Sequence, residues 1–206
     1  MLSNKYFYSV VIIIIMLFIS ACNEKSKEIP ENKLDLNSPE AVLKEAKKTL
    51  GNETQIAVPG NFDNDSTKEF AAGTEINKPD KWGIQFHLLK EKDDSLQDTY
   101  STYLLEGSFT DALVRKEKPD SESYDLIYYN SLDYYLGSGG GEVFSYLIDF
   151  SKKQTYYAHL FTGKGRKISL FLSGNVTPAI KNYFIRVFKK DYPDLELVDK
   201  DVDLDE

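Results

Sequence analysis

The chain has 206 residues, of which 25 are basic and 33 acidic, giving a net charge of −8. Such an acidic balance argues against a nucleic-acid-binding protein, because phosphates require a basic surface. The single cysteine, Cys22, excludes an intrachain disulfide and a metal site made of several cysteines, so we expect one domain that folds on its hydrophobic core alone.

The first 22 residues have the organisation of an export signal. Lys5 and the amino terminus are basic, the ten residues from Val10 to Ile19 are all apolar, and small residues follow them. So short an apolar run is a poor fit to the hydrocarbon core of a bilayer, which favours a signal peptide over a membrane-spanning helix. The ending Ile19-Ser20-Ala21-Cys22 resembles the lipobox of bacterial lipoproteins, although leucine is more usual than Ile19.

This resemblance implies that residues 1–21 are removed and that Cys22 carries several acyl chains, palmitate among them, which hold the protein in the cell envelope. An ordinary signal peptide and an uncleaved anchor remain the alternatives. Asn23 is not the aspartate that retains many lipoproteins at the inner membrane, so the resemblance implies the outer membrane in a Gram-negative host. Residues 22–37 are polar and charged, and we predict a lipidated cysteine followed by a flexible tether.

Two amphipathic helices are predicted, one at each end of the domain. Ser38-Pro39-Glu40 supplies the capping hydroxyl, proline and acid of a helix start, and Gly51 marks its end. Thr177-Pro178 begins the second helix and Pro193 ends it. The apolar faces consist of Val42, Leu43, Ala46 and Leu50 in the first helix, and of Ile180, Tyr183, Phe184, Val187 and Phe188 in the second.

Between the helices the apolar residues recur with the period of two that is typical of strands. The predicted strands are Ile56–Val58, Phe70–Ile76, Trp82–Leu88, Tyr100–Leu105, Tyr124–Tyr129, Leu132–Leu136, Glu142–Phe150, Gln154–Phe161 and Lys167–Ser173, with a further short one possible at Leu195–Val198. Lys116–Glu122 is charged and contains Pro119, which indicates a connection. We therefore predict an α+β domain over residues 38–198, with about seven or eight mainly antiparallel strands and an acidic tail at 199–206. A β-sandwich with helices is the alternative.

One loop carries the pattern of a metal site. Oxygen-bearing side chains stand at positions 1, 3, 5 and 9 of the segment that starts at Asn61, namely Asn61, Asp63, Asp65 and Glu69, and Thr67 could add a backbone carbonyl. Ca²⁺ needs roughly six to eight oxygen ligands. With Val58-Pro59-Gly60 before it and Phe70-Ala71-Ala72 after it, the segment resembles the calcium loop of FG-GAP and VCBS repeats, which implies bound Ca²⁺.

The loop also departs from that pattern. Asn61 replaces an aspartate, Ser66 stands where glycine is preferred, and position 9 is Glu69. It is not an EF-hand either, because Ala72 stands where a bidentate acid is needed. The alternative is a plain hairpin turn in which Asp and Asn side chains cap their own backbone. If calcium binds, we expect it to stiffen the hairpin rather than to catalyse a reaction.

Tyrosines and glycines form a second candidate site. Four glycines lie between residues 137 and 141, and eight of the fourteen tyrosines surround them. A tyrosine-lined face could bind a glycan, a peptide or a protein; the candidate ligand-binding residues are Tyr128, Tyr129, Tyr134, Tyr135, Gly139 and Gly140. Tyrosine is also common in strands, and the glycines also suit a long hairpin loop.

No nucleophile motif is present, and the two histidines, His87 on the expected polar face of its strand and His159, lack metal-motif spacing. We therefore predict a lipid-anchored envelope protein with a non-enzymatic binding domain, whose partner is an envelope protein or a glycan. One alternative is an envelope hydrolase in which Asp63, Asp65 and Glu69 support a metal-bound water. The other is a purely structural lipoprotein.

Overall fold

Two helices and ten strands make up the part of the chain that the computed structural model describes, namely residues 36, 38–110, 112–119, 122–131, 141–162, 168–193 and 202–205. The signal peptide, the lipobox, nearly all of the tether and the strands predicted at Leu132–Leu136 and Leu195–Val198 lie outside these residues. No helix in the described ranges is long and apolar enough to cross a membrane.

The helices begin and end where their capping residues predict. The elements in chain order are α1 (Pro39–Leu50), β1 (Thr54–Gly60), β2 (Glu69–Lys78), β3 (Lys81–Lys92), β4 (Ser95–Ser101), β5 (Leu113–Glu117), β6 (Leu126–Asn130), β7 (Gly141–Asp149), β8 (Gln154–Thr162), β9 (Ile168–Ser173), α2 (Pro178–Asp191) and β10 (Val202–Asp205). The Ser38 hydroxyl accepts a hydrogen bond from the Ala41 amide at 3.1 Å, and the Thr177 hydroxyl accepts one from the Ile180 amide at 3.4 Å. Each side chain thereby satisfies an amide that has no partner inside its helix.

The strands form two sheets. Sheet A has the order β1-β2-β3-β4, and sheet B has the order β10-β9-β8-β7-β6-β5. All described pairs are antiparallel except β10 with β9, which run parallel. The predicted α+β class is therefore confirmed, and the division into two sheets matches the sandwich alternative.

The two sheets meet at an inner core. Phe62, Ile84 and Phe86 from the sheet A side form one hydrophobic cluster with Tyr129 and Ile148 of sheet B. Phe86 and Tyr129 lie with their ring centroids 5.5 Å apart. Burial of such aromatic side chains is the main favourable term in folding, so this cluster holds the sheets together.

The opposite face of sheet B packs against α2. Tyr183, Phe184 and Phe188 of this helix join Leu147 and Leu170 of the sheet in a second hydrophobic cluster. All five apolar residues predicted for α2 are buried, which confirms its apolar face. Sheet B thus packs against sheet A on one face and against α2 on the other.

Helix α1 lies against β1 and β4 of sheet A. Among the four apolar residues predicted for this helix, Val42 and Ala46 are buried, and Leu43 and Leu50 are half-buried. His87 is only 9% exposed, although its strand pattern predicts a polar position, and its Nδ1 atom lies 2.9 Å from Asp98 Oδ2 of β4. Trp82 differs in the other direction: a period of two in Trp82–Leu88 places it on the same strand face as the buried Ile84, but it is 51% exposed.

Three strands differ from the sequence prediction. β4 begins at Ser95 and ends at Ser101, whereas Tyr100–Leu105 was predicted. β5 occupies Leu113–Glu117 and overlaps the predicted charged connection. The Arg115 guanidinium lies over the Tyr128 ring at 4.5 Å, which shows how a charged residue packs in this strand. Val202–Asp205 forms β10 inside the predicted acidic tail.

Candidate cation site

The acidic loop connects β1 to β2 and is fixed to the inner core by Phe62. This side chain is fully buried, and its ring meets the Phe150 ring edge-on with centroids 5.8 Å apart. Gly60 makes room for the ring, because a Cβ there would lie 2.5 Å from its Cζ atom. The loop is therefore held to the inner core by an aromatic anchor.

Hydrogen bonds within the loop fit the plain-turn alternative. The Asn61 Oδ1 atom accepts from the Asn64 amide at 2.9 Å, and Asp63 Oδ1 accepts from the Asp65 amide at 3.3 Å. Asp65 Oδ1 accepts from the amide and the hydroxyl of Thr67, at 2.8 and 2.6 Å. Asn61, Asp63 and Asp65 each give an oxygen to this network, as side chains of turns commonly do.

Glu69 lies beneath the loop and is only 2% exposed. Its Oε2 atom accepts hydrogen bonds from the Phe62 amide at 2.5 Å and from the Asp63 amide at 3.0 Å. None of the described residues donates a hydrogen bond to Oε1. The carboxylate thus orders the loop backbone through one oxygen and turns the other toward the neighbouring acidic side chains.

A lysine lies at the centre of the acidic cluster. Lys90 stands on β3 directly opposite Glu69 in the antiparallel ladder. Its ammonium donates to Asp63 Oδ2 and, at 2.6 Å, to Asp65 Oδ2, and it lies 3.1 Å from Glu69 Oε1. Since a carboxylate oxygen of each acid lies within 4.8 Å of those of the other two, the three acids surround a single point, and Lys90 Nζ is next to it.

Electrostatics favour the charged form of this lysine. Burial opposes the charge, but hydrogen bonds to Asp63 and Asp65, together with the nearby Glu69 carboxylate, outweigh it and raise the pKa of Lys90. The hydrogen bond from Lys90 is the largest influence on Asp65 and lowers the pKa of that carboxyl. Burial acts against ionisation of Asp63, yet hydrogen bonds with Glu69 and Lys90 lower its pKa overall, whereas burial raises the pKa of Glu69.

The structure therefore brings together three of the five predicted ligand residues, Asp63, Asp65 and Glu69. Asn61 and Thr67 take part in the hydrogen bonds of the turn. Sequence reasoning missed Lys90, which stands 21 positions after Glu69. Only the register of the β2–β3 hairpin places the two residues opposite each other.

Of the tyrosines and glycines predicted to bind a ligand, the structure describes two. Tyr128 and Tyr129 are fully buried, one in the cluster under α2 and the other in the inner core, so their side chains serve packing. Tyr134, Tyr135, Gly139 and Gly140 lie outside the described residues.

An aromatic strip runs across sheet B near the ends of β7 and β8. It consists of Phe144, His159, Phe161 and Phe171, with the carboxylate of Glu142 beside it. His159 stacks on Phe144 with ring centroids 4.4 Å apart, and its Nε2 atom lies 2.9 Å from Glu142 Oε2. Phe161 is 42% exposed, so one end of the strip faces solvent. No sequence pattern singled out this strip, because it forms only when three strands pair.

Compared with known proteins, the chain matches no family model, and neither a curated protein nor a solved structure is significantly similar to it. The function is therefore argued from the residues themselves.

Proposed function

We propose that this protein is an exported lipoprotein, held in the cell envelope by acyl chains on Cys22, and that its folded domain acts by binding rather than by catalysis. The observation that carries the anchor is the sequence Ile19-Ser20-Ala21-Cys22 directly after ten apolar residues. More than one acyl chain is needed for stable attachment, and the acidic domain would gain nothing from anionic lipids.

Replacement of the lipidated residue tests the anchor. In bacteria grown with labelled palmitate, the wild-type protein should carry label and sediment with membranes, and Cys22→Ser should do neither, because Cys22 is the only cysteine. Ser20→Ala is the matched control and should behave as wild type. Label on the Cys22→Ser protein would contradict the proposal. In a Gram-negative host, Asn23→Asp should move the protein from the outer to the inner membrane.

Pairing of the candidate catalytic groups supports a binding role. A metal-bound water requires an open coordination position, whereas Asp63, Asp65 and Glu69 surround the Lys90 ammonium.

The aromatic strip is the surface that we assign to the partner, and its chemistry suits an envelope glycan. Flat rings offer apolar area to the carbon–hydrogen faces of a sugar, while the polar atoms of His159 and Glu142 can hydrogen-bond its hydroxyls. Phe161 stands at the exposed end, directly opposite Glu142 in the β7–β8 ladder. A tether of about 15 residues would reach roughly 20 Å from the membrane surface and bring the strip near such a polymer.

Sedimentation with peptidoglycan sacculi tests this assignment. Phe161→Ser should weaken binding about tenfold, as expected when an aromatic contact residue is removed. Trp82→Ser is the matched control, because Trp82 is also an exposed aromatic residue but belongs to sheet A. Equal losses in the two variants, or no binding by the wild type, would overturn the glycan assignment and leave the anchor untouched.

A further inference from the structure

We infer that the Lys90 ammonium is the resident cation of the acidic loop, and that a divalent ion enters the loop only when this ammonium is removed. The inference is independent of the lipid anchor and of the aromatic strip. The loop then holds either the Lys90 ammonium or a divalent ion. The lysine network and a calcium-bound loop are therefore alternative states of the same site.

The first step is the position of Lys90 Nζ. It lies 2.6 Å from Asp65 Oδ2 and 3.1 Å from Glu69 Oε1, and it donates to Asp63 Oδ2 as well. A calcium ion binds oxygen at about 2.3–2.6 Å. An ion that used these three oxygens would therefore occupy nearly the same volume as the ammonium. The two cations exclude each other by both size and charge.

The second step is the need of the buried carboxylate for a cation. Glu69 has no exposed side-chain surface, and its Oε1 atom receives no hydrogen bond from the described residues. A buried carboxylate oxygen left in this state is costly unless a positive charge lies beside it. The Lys90 ammonium supplies that charge beside Oε1. A cation of some kind is therefore required at this position.

The third step is the advantage of a tethered cation. The ladder places Lys90 opposite Glu69, and its side chain is only 18% exposed. Since the ammonium belongs to the chain, its effective concentration at the site does not depend on the ions in solution. A free ion must first displace it and leave Lys90 without its three partners. We therefore expect the wild-type loop to be ordered equally well in chelator and in calcium.

Thermal unfolding of the full chain in detergent tests the inference. The wild-type melting temperature should be the same in chelator and in excess Ca²⁺. Lys90→Met should melt lower in chelator, because three carboxylates then lack their counter-charge, and should rise by about 5–10 °C when Ca²⁺ exceeds its dissociation constant 100-fold. Lys90→Met combined with Asp63→Asn should lose that rise.

Lys68→Met is the matched control, since Lys68 is a neighbouring exposed lysine whose only described ion pair, to Glu91, is 3.8 Å long. This variant should resemble wild type in both conditions. A rise of the wild-type melting temperature equal to that of Lys90→Met would overturn the inference, and so would a Lys90→Met protein indifferent to calcium. If Lys90→Met does not fold in chelator, folding in calcium is the expected result, and failure to fold there would also overturn it.

Discussion

Buried tyrosine hydroxyls make this protein sensitive to alkali. Burial raises the pKa of Tyr128 to about 12, although hydrogen bonds with Ser145 and Asn130 partly oppose the shift. Burial also raises the pKa of Tyr146 and of Tyr183. In the unfolded chain these phenols ionise near pH 10, before the folded protein releases their protons. Their contribution to stability is therefore complete below pH 10 and is lost as pH rises toward the folded-state values.

Urea unfolding at a series of pH values measures this loss. Between pH 8 and pH 12 we expect Tyr128→Phe to lose about 2 kcal/mol less stability than the wild type, because the two-unit shift in pKa is only partly expressed at pH 12, where the folded-state phenol is half ionised. The tyrosinate absorbance of Tyr128, Tyr146 and Tyr183 should appear only together with unfolding. If all fourteen tyrosines ionise near pH 10 while the circular dichroism stays native, the expectation is wrong.

The stability of a helix depends on how its ends are capped, and the N-terminal caps of the two helices can be compared directly. Ser38→Ala should reduce the free energy of unfolding by about 1 kcal/mol, because one helix amide loses its acceptor. Thr177→Ala should cost less, since its hydrogen bond is 3.4 Å long rather than 3.1 Å. Chemical denaturation measures both losses, and Ser101→Ala at the exposed end of β4 serves as the reference. A larger loss for Thr177→Ala would contradict the argument from bond length.

Local signals explain which elements the sequence predicts well. Capping residues lie next to the helix they start, so α1 and α2 were located at their true ends. The β7–β8 hairpin was also found almost to the residue, because its turn and its alternation are contiguous. β5 was missed because Arg115 is accommodated by distant partners, the Tyr128 ring and the Asp191 carboxylate. Lys90 was missed for the same reason.

Across the whole molecule, sheet B is the layer that both hydrophobic clusters share. One face meets sheet A and the other meets α2, so all five residues of β6 are buried and its alternation of polar and apolar residues disappears. Such two-sided burial is usual for a central strand covered on both faces. It explains why tyrosines expected on a binding surface, Tyr128 and Tyr129, are core residues, while Phe161 is an exposed aromatic position in sheet B.

The edge strands of the two sheets affect how prone the protein is to aggregate. An uncovered strand edge invites the same edge of another copy to add to it, which leads to aggregation. β1 carries Pro59, which lacks an amide donor, and the register of β4 shifts beside Leu88. β5 presents the exposed Lys116. If acyl chains concentrate many copies on one membrane, the proline, the register shift and the basic charge at these three edges should prevent the strands of neighbouring copies from pairing into a shared sheet.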